Sequence, residues 1–179
     1  MRRLHIVRHA QVVVDPATPS ADWCLAPGAQ TAIRELANRV FHAPPDRIVS
    51  SPQKKAVQTA TALAAHFGVP FEVRDGFEEH HRENEPFIEN DQAFRTRLKR
   101  FFEHPDDLVF GSETARAAST RFARAVDAMM STGRGDEVVV THGTVGALFL
   151  ASYGGQPFDI WCGLLTPDHR MVPWPRPKR

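Results

Sequence analysis

A chain of 179 residues, 42% apolar and 24% charged with a net charge of +1, is sized for one globular domain with a substantial core. The near-neutral balance argues against nucleic acid as a partner, so any attraction for anions must be local. No apolar run is long enough to span a membrane, and the stretch after Met1-Arg2-Arg3 stops at Arg8, too short for a signal sequence. Cys24 and Cys162 are far apart and form no CxxC motif, so neither a disulfide framework nor a zinc site is indicated, and the expected location is the cytoplasm.

Residues 4–7 form an apolar run that reads as a buried strand and ends in Arg8-His9. A loop rich in Pro and Asp follows over residues 12–27, after which Ile33, Leu36, Ala37 and Val40 recur at helical spacing. Arg47–Ser50 is a second short strand, closed by Ser50-Ser51-Pro52. Ala56, Ala60, Leu63, Ala64 and Phe67 then trace a helical stripe that Gly68 should cap. Phe71–Val73 reads as a third strand, and the charged stretch 78–89 as a loop with a solvated face. Phe94, Leu98, Phe101 and Phe102 mark an amphipathic helix that could roof a site, with Arg95, Arg97, Lys99 and Arg100 on its solvated side. One of those four bases could instead lean over the site.

Ser112 is the expected N-cap of a long helix through Ala118, Phe122, Ala125, Val126 and Met129, broken at Gly133 and Gly135. Glu137–Thr141 is a fourth strand ending in His142-Gly143, and residues 144–153 a further helix. Residues 171–174 read as an edge strand or ordered tail, and the Pro-rich basic end from Pro173 as a solvated tail.

Alternating strands and helices imply an α/β fold, a three-layer α/β/α sandwich around a mostly parallel sheet. The expected organisation is one domain over residues 1–179 with a helical insertion around 83–110. In such a fold the loops after parallel strands share one edge, where ligands bind. Arg8-His9, Ser50-Ser51, residues 77–82 and His142-Gly143 should therefore converge.

That convergence suits an oxyanion such as phosphate. Phosphoryl transfer needs in-line attack with positive groups around the equatorial oxygens. Arg8 offers a bidentate fork, Lys55 a point charge at the start of its helix, and His142 a further donor. His9 is the natural nucleophile once neutral, provided its other ring nitrogen donates to something fixed, such as a backbone carbonyl. Glu79 is the candidate proton donor to the leaving oxygen, with Glu78 the alternative; to serve, Glu79 needs a pKa raised toward neutrality by burial or by crowding with the phosphate. Each of these residues also has an ordinary reading: a strand-end histidine, a solvated lysine with Lys54 as the inward one, a carboxylate in a charged run. A metal held by His5, His9, His80 and His81 is disfavoured because Arg8 would repel it.

In order, Ile6-Val7-Arg8-His9-Ala10-Gln11, Ser50-Ser51-Pro52-Gln53-Lys54-Lys55-Ala56-Val57-Gln58-Thr59-Ala60, Phe77-Glu78-Glu79 and Val140-Thr141-His142-Gly143 resemble the motifs of the histidine phosphatase superfamily, the phosphoglycerate-mutase-like proteins. Leu25-Ala26-Pro27-Gly28-Ala29-Gln30 and Gly111-Ser112-Glu113 are similar to two further family blocks, so the resemblance covers nearly the whole chain. It implies a phosphohistidine on His9, Glu79 as general acid, a phosphate pocket of Arg8, Lys55, His142 and Gly143, and no metal or other cofactor. Three positions depart from the family pattern: Ala10 replaces a glycine, Lys55 an arginine and Gln53 a leucine. The segment Val12-Val13-Val14-Asp15 lacks the Ser-x-x-Asn pattern of the mutases, which favours the small phosphatase branch. The implied function is hydrolysis of a small phosphorylated metabolite. A phosphoglycerate mutase, or a weakly catalytic member that binds a phosphorylated ligand or a protein partner, are the alternatives.

Overall fold

A computed structural model describes residues 2–158 and 168–176; Cys162 and the last three residues of the basic tail lie outside them. Five strands, β1 (Arg2–Arg8), β2 (Arg47–Ser50), β3 (Phe71–Val73), β4 (Glu137–Thr141) and β5 (His169–Trp174), form one sheet in the order β3-β2-β4-β1-β5. The first four are parallel, and β5 runs antiparallel along the free edge of β1. Pro173 and Trp174 thus belong to a strand rather than to a solvated tail.

Among the described residues five α-helices connect the strands: α1 (Ala29–Val40), α2 (Lys54–Phe67), α3 (Asp91–Glu103), α4 (Ala115–Thr132) and α5 (Gly143–Gly154). Side chains alternate across a pleated strand, so each strand feeds two cores. Val7, Ile48, Val138 and Val140 pack with Ile33, Leu36, Ala37, Ala60 and Leu63 of α1 and α2. Leu4, Ile6, Val49 and Val139 pack on the opposite face with Phe101, Phe102, Phe122, Met129 and Leu148 of α3, α4 and α5. The three layers follow directly from that alternation.

Caps account for several helix ends. Gly68 takes the left-handed conformation (φ 66°) that terminates α2, as its position predicts. The cap of α4 is Thr114, whose Oγ1 accepts from the Ala117 N–H at 3.1 Å, and not Ser112. Ser112 is drawn away because its own N–H donates to the His81 carbonyl at 2.8 Å. Gly111 makes that approach possible: its φ is +76°, and a Cβ there would lie 2.3 Å from the His81 oxygen.

Register is what positions the site. Arg8 lies opposite Thr141, and Val140 opposite both Val7 and Ser50. The strands therefore end level, and His9, Ser51 and His142 are the next residues out on three neighbouring strands. Backbone bonds carry the ladder one residue further, from His9 N–H to the Thr141 carbonyl (2.8 Å) and from Ser51 N–H to the Val140 carbonyl (2.9 Å).

Candidate active site

A cavity of about 750 Å³ opens over the level strand ends. Its wall includes Arg8, His9, Lys55, Glu79, Arg82 and Gly143. His142 is fully buried behind that wall, its ring centroid 5.2 Å from that of His9.

His9 is fixed by its own backbone neighbourhood. Its Nδ1 lies 2.8 Å from the Ala10 carbonyl, which can only accept, so Nδ1 carries the proton and Nε2 holds the free lone pair. Burial, with Lys55 and Arg8 nearby, brings its pKa down to about 4 despite the opposing bond to Ala10. The ring is neutral at physiological pH. Thr59 on α2 holds the anchor in place: its Oγ1 accepts from the Ala10 N–H at 3.1 Å and donates to the Lys55 carbonyl at 2.8 Å. Ala10 is not strained, because no described residue other than glycine has positive φ.

His142 is also held neutral by burial. Its Nε2 lies 2.8 Å from Ser51 Oγ, which itself accepts from the Gln53 N–H at 3.3 Å. With the serine proton directed to Nε2, Nδ1 becomes the N–H donor, and it has no partner among the described residues.

Three cations surround His9. Lys55 is only 4% exposed; its Nζ donates to the Ser20 carbonyl at 2.7 Å and lies 5.4 Å from the centre of the Trp23 ring. Burial lowers its pKa to about 8, with Arg82 and Arg8 adding to the effect and Glu79 opposing it. The neighbouring Lys54 is exposed, so the helical register turns Lys55 inward. Arg8 and Arg82 face the cavity with guanidinium groups that neither hydrogen-bond nor ion-pair with any described residue. Arg82 Nη1 is buried and unpartnered, and the described contact of its guanidinium is the Phe94 ring at 5.0 Å. Nothing local in the sequence distinguishes Arg82, which sits in the charged run 78–89 where a solvated face is the default.

Glu79 departs from that default too, being buried with both oxygens engaged. Oε1 accepts from the N–H groups of His80 (2.9 Å) and Val145 (3.1 Å), and Oε2 from that of Thr144 (3.1 Å). A carboxylate from a distant loop thus occupies the N-terminus of α5, where free N–H groups and the helix dipole favour an anion. Burial alone would raise its pKa, but Arg82 and the backbone N–H donors outweigh it and hold Glu79 below the usual carboxylate range. Of the two expected causes of a raised pKa, burial by itself therefore does not suffice. Glu78 lies off the cavity, accepting from the Gly76 N–H at 2.7 Å and paired with Arg121 at 3.2 Å.

The loop that carries Glu79 and Arg82 is clamped from α4. Arg121 donates to the carbonyls of Gly76, Glu78 and Glu79, and Glu113 accepts from the His81 N–H at 3.0 Å. His80 turns into the aromatic core beside Phe101 (4.2 Å) and Phe110 (4.7 Å), while His5 pairs with His169 at 2.9 Å. Among the described residues no group of three or more His, Cys, Asp or Glu could hold a metal ion. Of α3, Phe94 and Asp91 line the cavity, and the basic residues Arg95, Arg97, Lys99 and Arg100 do not. No helix of the described residues is long and apolar enough to cross a membrane.

No curated protein sequence matches this chain. Among solved structures, a mycobacterial glucosyl-3-phosphoglycerate phosphatase superposes with a TM-score of 0.72 at 22% identity, covering 91% of this chain and 84% of that one. A phosphoserine phosphatase from Entamoeba histolytica gives 0.73 at 18% identity, covering 96% and 90%. YhfR of Bacillus stearothermophilus gives 0.71 at 19%, covering 93% and 85%. At these identities the likeness establishes the fold. The family model described as histidine phosphatase superfamily, branch 1, matches residues 4–167. With that match over most of its length, and Arg8-His9, Glu79 and His142 gathered at one sheet edge, the chain belongs to branch 1 of the histidine phosphatase superfamily.

Proposed function

We propose that this protein is a metal-independent phosphomonoesterase that hydrolyses a small phosphorylated metabolite through a phosphohistidine on His9. The observation that carries the reading is the state of His9: a neutral ring whose Nδ1–H is tied to the Ala10 carbonyl, leaving Nε2 as a free base among three cations. The phosphatases named above act on small phosphorylated substrates, which agrees with it.

In the proposed reaction Nε2 of His9 attacks phosphorus, the bond to the ester oxygen breaks, and Glu79 gives that oxygen a proton. Water then gives a proton to Glu79 and attacks phosphorus, the P–N bond breaks, and inorganic phosphate leaves. Arg8, Arg82 and Lys55 supply positive charge to the equatorial oxygens, and His142 Nδ1–H with the Gly143 end of α5 completes the cradle. In the free protein Glu79 is ionised, so its proton must come with the substrate. A phosphate monoanion bound between Arg82 and Glu79 draws off the charge of Arg82 and adds a second anion, and both effects raise the proton affinity of the carboxylate. Glu79 serves in this role rather than Glu78, whose carboxylate is committed to Arg121 and Gly76.

Turnover of phenyl phosphate by the wild type, with a denaturing quench and mass spectrometry under alkaline conditions, tests the mechanism. The expected adduct is on His9, is lost on acidification, and is absent from His9→Ala, which turns over nothing. An adduct on a serine, or full activity in His9→Ala, would overturn it.

A further inference from the structure

The phosphoryl cradle fills only the floor of the cavity. Its volume of about 750 Å³ is in the range of sites for drug-sized ligands and far exceeds what a phosphate group needs. Above the cradle the wall is Val12, Val14, Trp23, Phe87, Ile88 and Phe94. Trp23 is a fixed platform: its Nε1–H donates to the Asp15 carbonyl (3.0 Å) and the Thr18 carbonyl (3.2 Å), so its one polar atom is spent. Phe87 meets it edge-on at 5.9 Å, making an aromatic corner. Phe87 and Val14 are 42% and 50% exposed, apolar surface that an occupant of the cavity would cover.

Charge around the same wall is sorted by depth. The cations Arg8, Lys55 and Arg82 stand around His9, whereas the solvent-exposed charged residues on the wall are Glu83, Glu89 and Asp91, all acidic. Glu85, also on the wall, is taken up by Arg97 at 2.9 Å and by the Gly111 N–H at 3.0 Å. A leaving group with its own carboxylate or second phosphate would meet apolar rings and like charge. One with an aromatic or fused ring and no negative charge would meet surface of its own kind.

We infer that the substrate is a phosphate monoester of a bulky, ring-bearing alcohol that carries no negative charge of its own, with the ring seated against Trp23 and Phe87. This rests on the phosphomonoesterase reading of the same pocket. It also separates the protein from a phosphoglycerate mutase, whose substrate carries a carboxylate beside the phosphate.

Two substrate pairs test it, each matched in the chemistry of the leaving alcohol. The first is 2-phenylethyl phosphate against ethyl phosphate. The ring should raise kcat/KM on the order of tenfold or more, and the ratio should collapse toward unity in Phe87→Ala; taking both rates in one variant cancels any loss common to the two. The second is glycerol 1-phosphate against 3-phosphoglycerate, where the carboxylate should be the poorer substrate and Glu83→Gln with Glu89→Gln should narrow the gap. Equal rates on the first pair in the wild type, or a preference for 3-phosphoglycerate in the second, overturn the inference while leaving a phosphatase in place. If no ester is hydrolysed, the phosphomonoesterase reading fails by itself. Calorimetry of the first pair with His9→Ala then reads the pocket without turnover, and equal affinities would overturn the inference there too.

Discussion

Lys55 replaces the arginine that the family pattern leads one to expect, and its burial gives the substitution a measurable signature. With a pKa of about 8, the ammonium group is charged below that pH and neutral above it. At one pH unit above, about a tenth of the free protein retains the charge. Because the proton arrives with the substrate monoanion (second pKa of about 6), kcat/KM already falls about tenfold per pH unit above that value; if Lys55 holds the transferring phosphoryl group, the fall steepens to about a hundredfold per unit on the alkaline side of 8. Lys55→Arg removes that steepening and leaves the substrate's own limb, because a guanidinium stays charged well beyond pH 10 or so, and it retains substantial activity. Arginine also restores a fork that can grip two oxygens, although it must displace the bond from Nζ to the Ser20 carbonyl. Lys55→Ala loses about 2–4 kcal/mol of transition-state binding, or about 30- to 1,000-fold in kcat/KM. Lys54→Ala, at an exposed position, is near neutral. The assay is kcat/KM on phenyl phosphate from about pH 6 to about pH 10 for wild type and the three variants. A steepening near pH 8 that persists unchanged in Lys55→Arg, or damage from Lys54→Ala with a silent Lys55→Ala, would refute the reasoning.

Glu79→Gln should lose more rate on ethyl phosphate than on 4-nitrophenyl phosphate, whose leaving group needs no proton; equal losses would remove Glu79 as the acid. Arg82→Ala should weaken inhibition by vanadate and lower kcat/KM by about a hundredfold, with Arg82→Lys in between; an unchanged vanadate constant would take Arg82 out of the cradle. The acid limb of the free protein should fall near pH 4, where His9 takes up a proton and its lone pair is lost, and a His9-dependent limb near the ordinary histidine value would contradict its burial. Away from the site, Glu137 is fully buried and its Oε2 is held by Arg47 at 2.7 Å, so Arg47→Met strands a carboxylate. Urea unfolding should show a loss of about 3 kcal/mol, and a change below about 0.5 kcal/mol would mean that Arg2, 3.8 Å from the other oxygen, suffices alone.

The sequence by itself determined the alternation of strand and helix and the chain order of the chemical motifs. These are local properties: an apolar run such as 4–7 or 138–141 is buried on both faces of a parallel sheet, and the 3.6-residue stripe through Ala56, Ala60 and Leu63 has one inward side. Residues at strand ends could be named because parallel topology places all such ends on one edge. The tertiary structure decided which charges in the run 78–89 are solvated. Glu79 is buried because the N–H groups of Thr144 and Val145, more than sixty residues away, need an acceptor, and Arg82 is half-buried with its guanidinium against Phe94 of α3. It also decided protonation, since the pKa of His9, Lys55 or Glu79 depends on what is packed around the group rather than on its chain neighbours. The cap of α4 went the same way: Ser112 is the better cap by type, and its contact with His81 across the fold left Thr114 to cap.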